Sequence, residues 1–159
     1  MAVSIIIADE VIRQAVAKNE KINGYQLHSL LYYLDVISLL ENGKHLITNE
    51  QFEKYPAGVF LAKVATIYEP SSKILTNIKP YPYPYLVKNN GAYQARTYYF
   101  SVNDVEVETR QFIQKHLTKL LNCDIAMLTS YAQKAPQFRN ETCSDNDTIN
   151  YYQSLIRVC

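Results

Sequence analysis

Tryptophan is absent from the 159 residues, glycine occurs only four times, methionine twice and cysteine three times. With so few glycines there is no G-x-G-x-x-G or G-x-x-x-x-G-K-[ST] loop to cradle a phosphate, and no G-x-S-x-G turn to raise a nucleophilic serine. Acid–base chemistry would have to be assembled from scattered Asp, Glu and His, and the expectation is a protein that is not an enzyme and carries no cofactor. Cys123, Cys143 and Cys159 form no C-x-x-C pair, and an odd number at wide spacing argues against a disulfide framework. His28, His45 and His116 are equally dispersed, so no metal site is expected. The two sequons, Asn140-Glu141-Thr142 and Asn146-Asp147-Thr148, matter only in a secreted chain.

Excess charge is also missing. Sixteen basic residues face fifteen acidic ones, a formal net charge of +1, which gives no bulk attraction for nucleic acid or acidic lipid. No apolar run approaches the length that spans a bilayer. The N-terminal Val3-Ser4-Ile5-Ile6-Ile7-Ala8 lacks a basic segment before it and is cut by Asp9 and Glu10, so it does not read as a signal peptide. The cytoplasm is the expected location.

What is present is ordinary globular composition, 48% hydrophobic and 19% charged, in a chain the size of one domain. One domain over residues 1–159 is expected, with a single core. Its centre is the segment INGYQLHSLLYYLDVISLLENGKHL. Asn23 with Gln26 three residues on makes a capping-box start, and Gly43 supplies a left-handed stop. Leu27, Leu30, Leu31, Leu34 and Ile37 share one helical face, and Val36, Leu39 and Leu40 widen it, so the helix is central. Tyr32 and Tyr33 read as packed rings with hydrogen-bonded hydroxyls.

Around it, residues 7–18 form a helix with Ala8, Val11, Ile12 and Ala15 on one face. His45–Thr48 and Gln51–Tyr55 read as extended, and Pro56 and Gly58 punctuate the chain before a helix over Val59–Tyr68. Residues 103–121 form a helix capped by Asn103 and Glu106, with Val105, Phe112, Ile113, Leu117, Leu120 and Leu121 apolar and its charges matched to the helix dipole. Shorter helices follow at Asp124–Gln133 and from Ser144 or Asp145 onward. Thr97–Ser101 has strand propensity and could pair with Gln51–Tyr55. The fold class is therefore mainly α (α+β), a compact helical domain with a small β element of two or three short strands.

The least ordinary segment is Lys79-Pro80-Tyr81-Pro82-Tyr83-Pro84-Tyr85-Leu86. Alternate prolines remove every second amide donor, which excludes helix and central strand and leaves an extended or polyproline-like course on the surface or at an edge. Tyr81, Tyr83 and Tyr85 are either rings of a rigid strap laid over the core or a contact surface for a protein partner.

The layout of residues 22–70, a buried helix, an extended segment and a further helix, resembles the core of the Panacea antitoxin domain. That family carries a helix of the type L-x-K-L-L-Y-Y, matched here by Leu27, Leu30, Leu31, Tyr32 and Tyr33, with Ser29 in place of Lys. Its segment F-x-A-W-x-Y-G-P-V is similar to Phe52–Val59, where Tyr55-Pro56-Ala57-Gly58-Val59 keeps the turn and the Val. Its leucine-rich helix ending in His before Pro-Trp resembles Leu128-Thr129-Ser130-Tyr131 with Pro136, Tyr131 and Gln137 replacing His and Trp. The resemblance implies an antitoxin that binds and neutralises a toxin protein encoded nearby, directly or as an adaptor to a protease. It points to Tyr55, Phe60 and Lys63, beside the matching turn, as partner-binding residues. A phage- or mobile-element-associated regulatory module, binding nucleic acid or another regulator, is the alternative it leaves open.

Overall fold

A computed structural model describes residues 4–76, 78, 82–99, 105–138 and 143–153. It is a mainly α, α+β arrangement built around one helix, α2, spanning Gly24–Asn42. The capping box forms as its sequence requires: Asn23 accepts from the Gln26 amide, and Gln26 accepts from the Asn23 amide, each at 2.9 Å. At the other end Gly43 adopts φ 70° and returns its N–H to Leu39, while Ser38 donates to the Lys44 carbonyl at 2.9 Å. Between these caps the helix is buried all round. Leu27, Leu30, Leu31 and Leu34 lie within 1% of complete burial. Each contributes about 1.5–3 kcal/mol of transfer free energy.

The first helix, α1, runs Ser4–Ala17. It begins three residues earlier than the expected start at residue 7, because Ile5 and Ile7 belong to its buried face. Asp9 and Glu10, which interrupt the apolar run, are themselves buried and partnered. Tyr68 donates to Asp9 at 2.7 Å, and Arg13 reaches Glu10 at 2.7 Å with Arg110 at 3.3 Å. A buried carboxylate needs such partners to offset lost hydration.

Strand β1 (Ile22–Asn23) pairs with β4 (Ile74–Leu75), and β2 (Glu53–Tyr55) pairs with β3 (Gly58–Phe60). The expected partner of β2 in Thr97–Ser101 is therefore corrected. The β2 strand uses its nearest neighbour across a two-residue turn, and Ala92–Tyr99 forms β6, antiparallel to β5 (Pro82–Asn89). Residues 100 and 101 lie outside the described residues. His45–Thr48 forms no strand, since the Ile47 amide donates to the Asp35 side chain instead of a ladder. The helix expected over Val59–Tyr68 shrinks to one turn, α3 (Ala62–Ala65). Residues 58–60 are engaged in the β2–β3 ladder, and the Leu61 amide is taken by His28.

Helices α4 (Val107–Leu121), α5 (Ile125–Gln133) and α6 (Asp145–Tyr152) pack against α2. In α4 the cap falls on Glu106, which makes no side-chain cap bond, so the expected box with Asn103 is replaced; Asn103 lies outside the described residues. Asp124 and Ser144 cap the other two as their sequences suggest, Ser144 in a reciprocal box with Asp147. Ile113, Leu117, Leu120, Leu128 and Tyr152 complete the core. Among the described residues no helix is long and apolar enough to cross a membrane.

Candidate functional site

Two places gather side chains with chemical potential. The first is the β2–β3 hairpin that carries two of the expected contact residues, Tyr55 and Phe60. Tyr55 closes β2 opposite Gly58, and Phe60 ends β3 opposite Glu53. The fold brings Tyr55 and Phe60 together as an edge-to-face pair, ring centroids 5.4 Å apart at 89°. Both are half-buried. Burial, with a smaller contribution from the Tyr25 phenol, raises the Tyr55 pKa, so the hydroxyl stays a neutral donor.

Gln133 holds the turn, and His28 holds the residue that follows β3. Gln133 in α5 donates to the carbonyls of Tyr55 at 2.9 Å and Pro56 at 3.1 Å. Behind it, fully buried His28 accepts from the Leu61 amide at Nδ1, 3.1 Å, and its Nε2–H donates to the Tyr68 carbonyl at 2.8 Å. These two bonds fix a neutral tautomer, and burial lowers the His28 pKa accordingly. Lys63 lies in α3 and makes different bonds from the aromatic pair. Its amide donates to Glu50 at 2.9 Å, and its ammonium reaches the Asn49 carbonyl at 3.3 Å, tying α3 to the preceding loop.

The second place is a recess of about 510 Å³ between the loop after α2 and the start of α6, lined by Asp35, His45, Glu50, Phe52, Cys143 and Asp145 among others. Phe52 and Phe138 frame it, both packed on Tyr32 with centroids 5.1 and 5.9 Å away. His45 bridges the wall: Nδ1 donates to Asp35 at 2.8 Å and Nε2 to Asp145 at 2.9 Å. The bond to Asp35, with support from Asp145, outweighs partial burial and raises its pKa to about 9. At neutral pH the ring is an imidazolium with both N–H groups engaged.

That arrangement argues against a cysteine–histidine reaction despite Cys143 on the same wall. A general base must offer a free ring nitrogen, and His45 offers none. The Cys143 thiol instead lies against the Ser144 carbonyl at 3.4 Å and Thr148 Oγ1 at 3.7 Å. Glu50 is also committed, one oxygen to the Lys63 amide and the other to Ser4 Oγ. His45, Asp35 and Asp145 thus satisfy one another, and Glu50 is held by partners outside the recess.

No family model, no curated protein and no solved structure matches this chain. Among the described residues no group of three or more His, Cys, Asp or Glu side chains is placed to hold a metal ion.

Of the proline–tyrosine segment, Tyr81 lies outside the described residues. Tyr83 and Tyr85 fall within β5, at the positions opposite Tyr98 and Arg96. From Pro82 onward the segment is one arm of a hairpin. The signal for it is Asn90-Gly91, a dipeptide suited to a two-residue hairpin turn, with φ 52° and 80°. The recess has no comparable local signal, since Asp35, His45 and Asp145 meet only through the tertiary fold.

Proposed function

We propose that this chain is a binding protein without chemistry of its own, an antitoxin of the Panacea type that neutralises a toxin encoded beside it through protein–protein contact. The observation that carries the reading is the clamped β2–β3 turn. Tyr55 and Phe60 form a half-exposed aromatic pair on backbone held by Gln133 and His28. Aromatic anchors on a pre-ordered backbone lose little conformational entropy on docking, which is the property of an interface hot spot. The turn also sits where the resemblance places it, between a buried helix and a following helical turn.

The His45 bridge supports the non-catalytic half of the proposal, because the ring is protonated and doubly bonded at neutral pH. A net charge of +1 lends no weight to a nucleic-acid partner.

The test is growth of a bacterial host that expresses the adjacent reading frame alone and then together with this chain. Growth arrest relieved by co-expression, and lost again with Tyr55→Ala/Phe60→Ala, is the expected result. A harmless neighbour, or rescue untouched by the double substitution, overturns the assignment or its interface respectively. Rescue that additionally requires a host protease would identify the adaptor route.

A further inference from the structure

The two edges of the β5–β6 hairpin differ: β5 carries proline at two of its outward positions, whereas among the described residues the outer edge of β6 has no paired strand. Proline has no N–H, so Pro82 and Pro84 cannot belong to hydrogen-bonded pairs of the ladder; with the register Pro82↔Tyr99 and Pro84↔Thr97, these are the non-bonded pairs. Alternation then makes Tyr83↔Tyr98, Tyr85↔Arg96, Val87↔Gln94 and Asn89↔Ala92 the bonded ones. The Asn90-Gly91 turn leads to the same assignment independently, because a two-residue turn is flanked by a bonded pair. Lys88 and Tyr93 form a non-bonded pair in that scheme, where side chains approach closely, and the ammonium does lie 6.0 Å from the ring.

On β5 the outward-directed positions are 82, 84, 86 and 88, and prolines occupy the first two. On β6 they are Tyr93, Ala95, Thr97 and Tyr99, none of them proline, so each directs an N–H outward in this scheme. Among the described residues β6 pairs with β5 alone. It is eight residues long, and Arg96 is its only charged residue. A long strand edge with so little charge is a ready template, and a two-stranded hairpin is marginal by itself in water.

We propose that β6 pairs antiparallel with β6 of a second copy of this chain across a two-fold axis, forming a four-stranded sheet. The register centred on Ala95 sets Tyr93 opposite Thr97 of the partner subunit. It also sets Gln94 opposite Arg96 of the partner subunit, avoiding the like-charge pair that centring on Arg96 would create. The second copy is the favoured occupant because it closes. Both outer strands of the resulting sheet are β5, whose prolines stop further addition, so growth ends at two copies. This inference is independent of the antitoxin reading.

Sedimentation of the full chain over a range of micromolar concentrations is expected to give the mass of two copies, and Thr97→Pro the mass of one. The substitution removes an outward N–H and leaves the hairpin's own bonded pairs intact, so far-UV circular dichroism should be unchanged. In the native chain, exchange at the amides of Tyr93, Ala95, Thr97 and Tyr99 should slow as concentration rises, a readout that needs no variant. A chain that is monomeric throughout, a dimer that survives Thr97→Pro, or a dimer whose four amides exchange freely each overturns the proposal. Protection that appears only when the co-expressed neighbour is added would assign the edge to a strand of that protein instead.

Discussion

The hydroxyls of Tyr32 and Tyr152 meet at 2.6 Å in the core, joining α2 to α6 across 120 residues of sequence. Both rings are essentially inaccessible, and burial raises both phenol pKa values, so the pair is a neutral hydrogen bond. Tyr152→Phe leaves the Tyr32 hydroxyl buried without this partner and is expected to cost roughly 1–3 kcal/mol. Removing both hydroxyls should cost less than the sum of the single changes, with a coupling of about 0.5–3 kcal/mol in a double-mutant cycle by urea denaturation. Strict additivity would show that the two hydroxyls do not depend on one another.

The two histidines that organise the fold act in opposite pH directions. His45 keeps its proton in the folded state up to about 9 against an ordinary 6.5. Its stabilisation is complete below that ordinary value and drains away as pH rises to about 9. His28, held neutral by burial, contributes above its ordinary 6.5 and loses that contribution as pH falls below it. Urea midpoints against pH should therefore decline on both sides. His45→Gln should flatten the alkaline limb alone. The loss at neutral pH should be modest, roughly 1–2 kcal/mol, because the ring is 40% exposed. An unchanged alkaline limb would show that Asp35 and Asp145 do not hold the proton.

At Gly24 another backbone segment comes very close to the start of α2. A Cβ there would lie 2.0 Å from the Glu69 carbonyl oxygen and 2.8 Å from the Ser71 amide nitrogen. Gly24→Ala must push the segment around Ser71 away and break the Tyr25 N–H bond to the Ser71 carbonyl. A loss of roughly 1–3 kcal/mol, with a lower melting temperature, is expected. A variant that melts like the parent would contradict this approach.

At the proposed interface, Phe60→Ala and Tyr55→Ala should each weaken toxin binding by roughly 10–100-fold. Lys63→Ala should change it little, because that ammonium reaches a backbone carbonyl of its own chain. Titration calorimetry with the purified neighbour would decide. A larger effect at Lys63 than at the aromatic pair would move the interface onto α3.

Local chemistry made the helix ends legible. Asn23, Gln26 and Gly43, Asp124, and Ser144 act on residues within one turn, so sequence spacing carried the geometry. The burial of Tyr32 and Tyr33 was legible for the same reason, from apolar neighbours on every side of one helix. Strand pairing was not, because Glu53–Tyr55 could satisfy its backbone in more than one place and only the tight turn at Pro56-Ala57 decides. In Val59–Tyr68, the helical spacing of Phe60, Val64 and Ile67 competed with a β ladder and with the His28 contact, and those won. The His45 bridge was invisible, since its two carboxylates lie 10 and 100 residues away.

The hub position of α2 has a consequence for the chain as it is made. Its sequence leaves the ribosome before most of its partners, and its last described partner, α6, follows about 120 residues after Tyr32. At roughly 5–20 residues per second that interval is about 6–24 s, during which a leucine-rich helix has no completed cover. Nascent chains should therefore be clients of ribosome-associated chaperones until Tyr152 emerges.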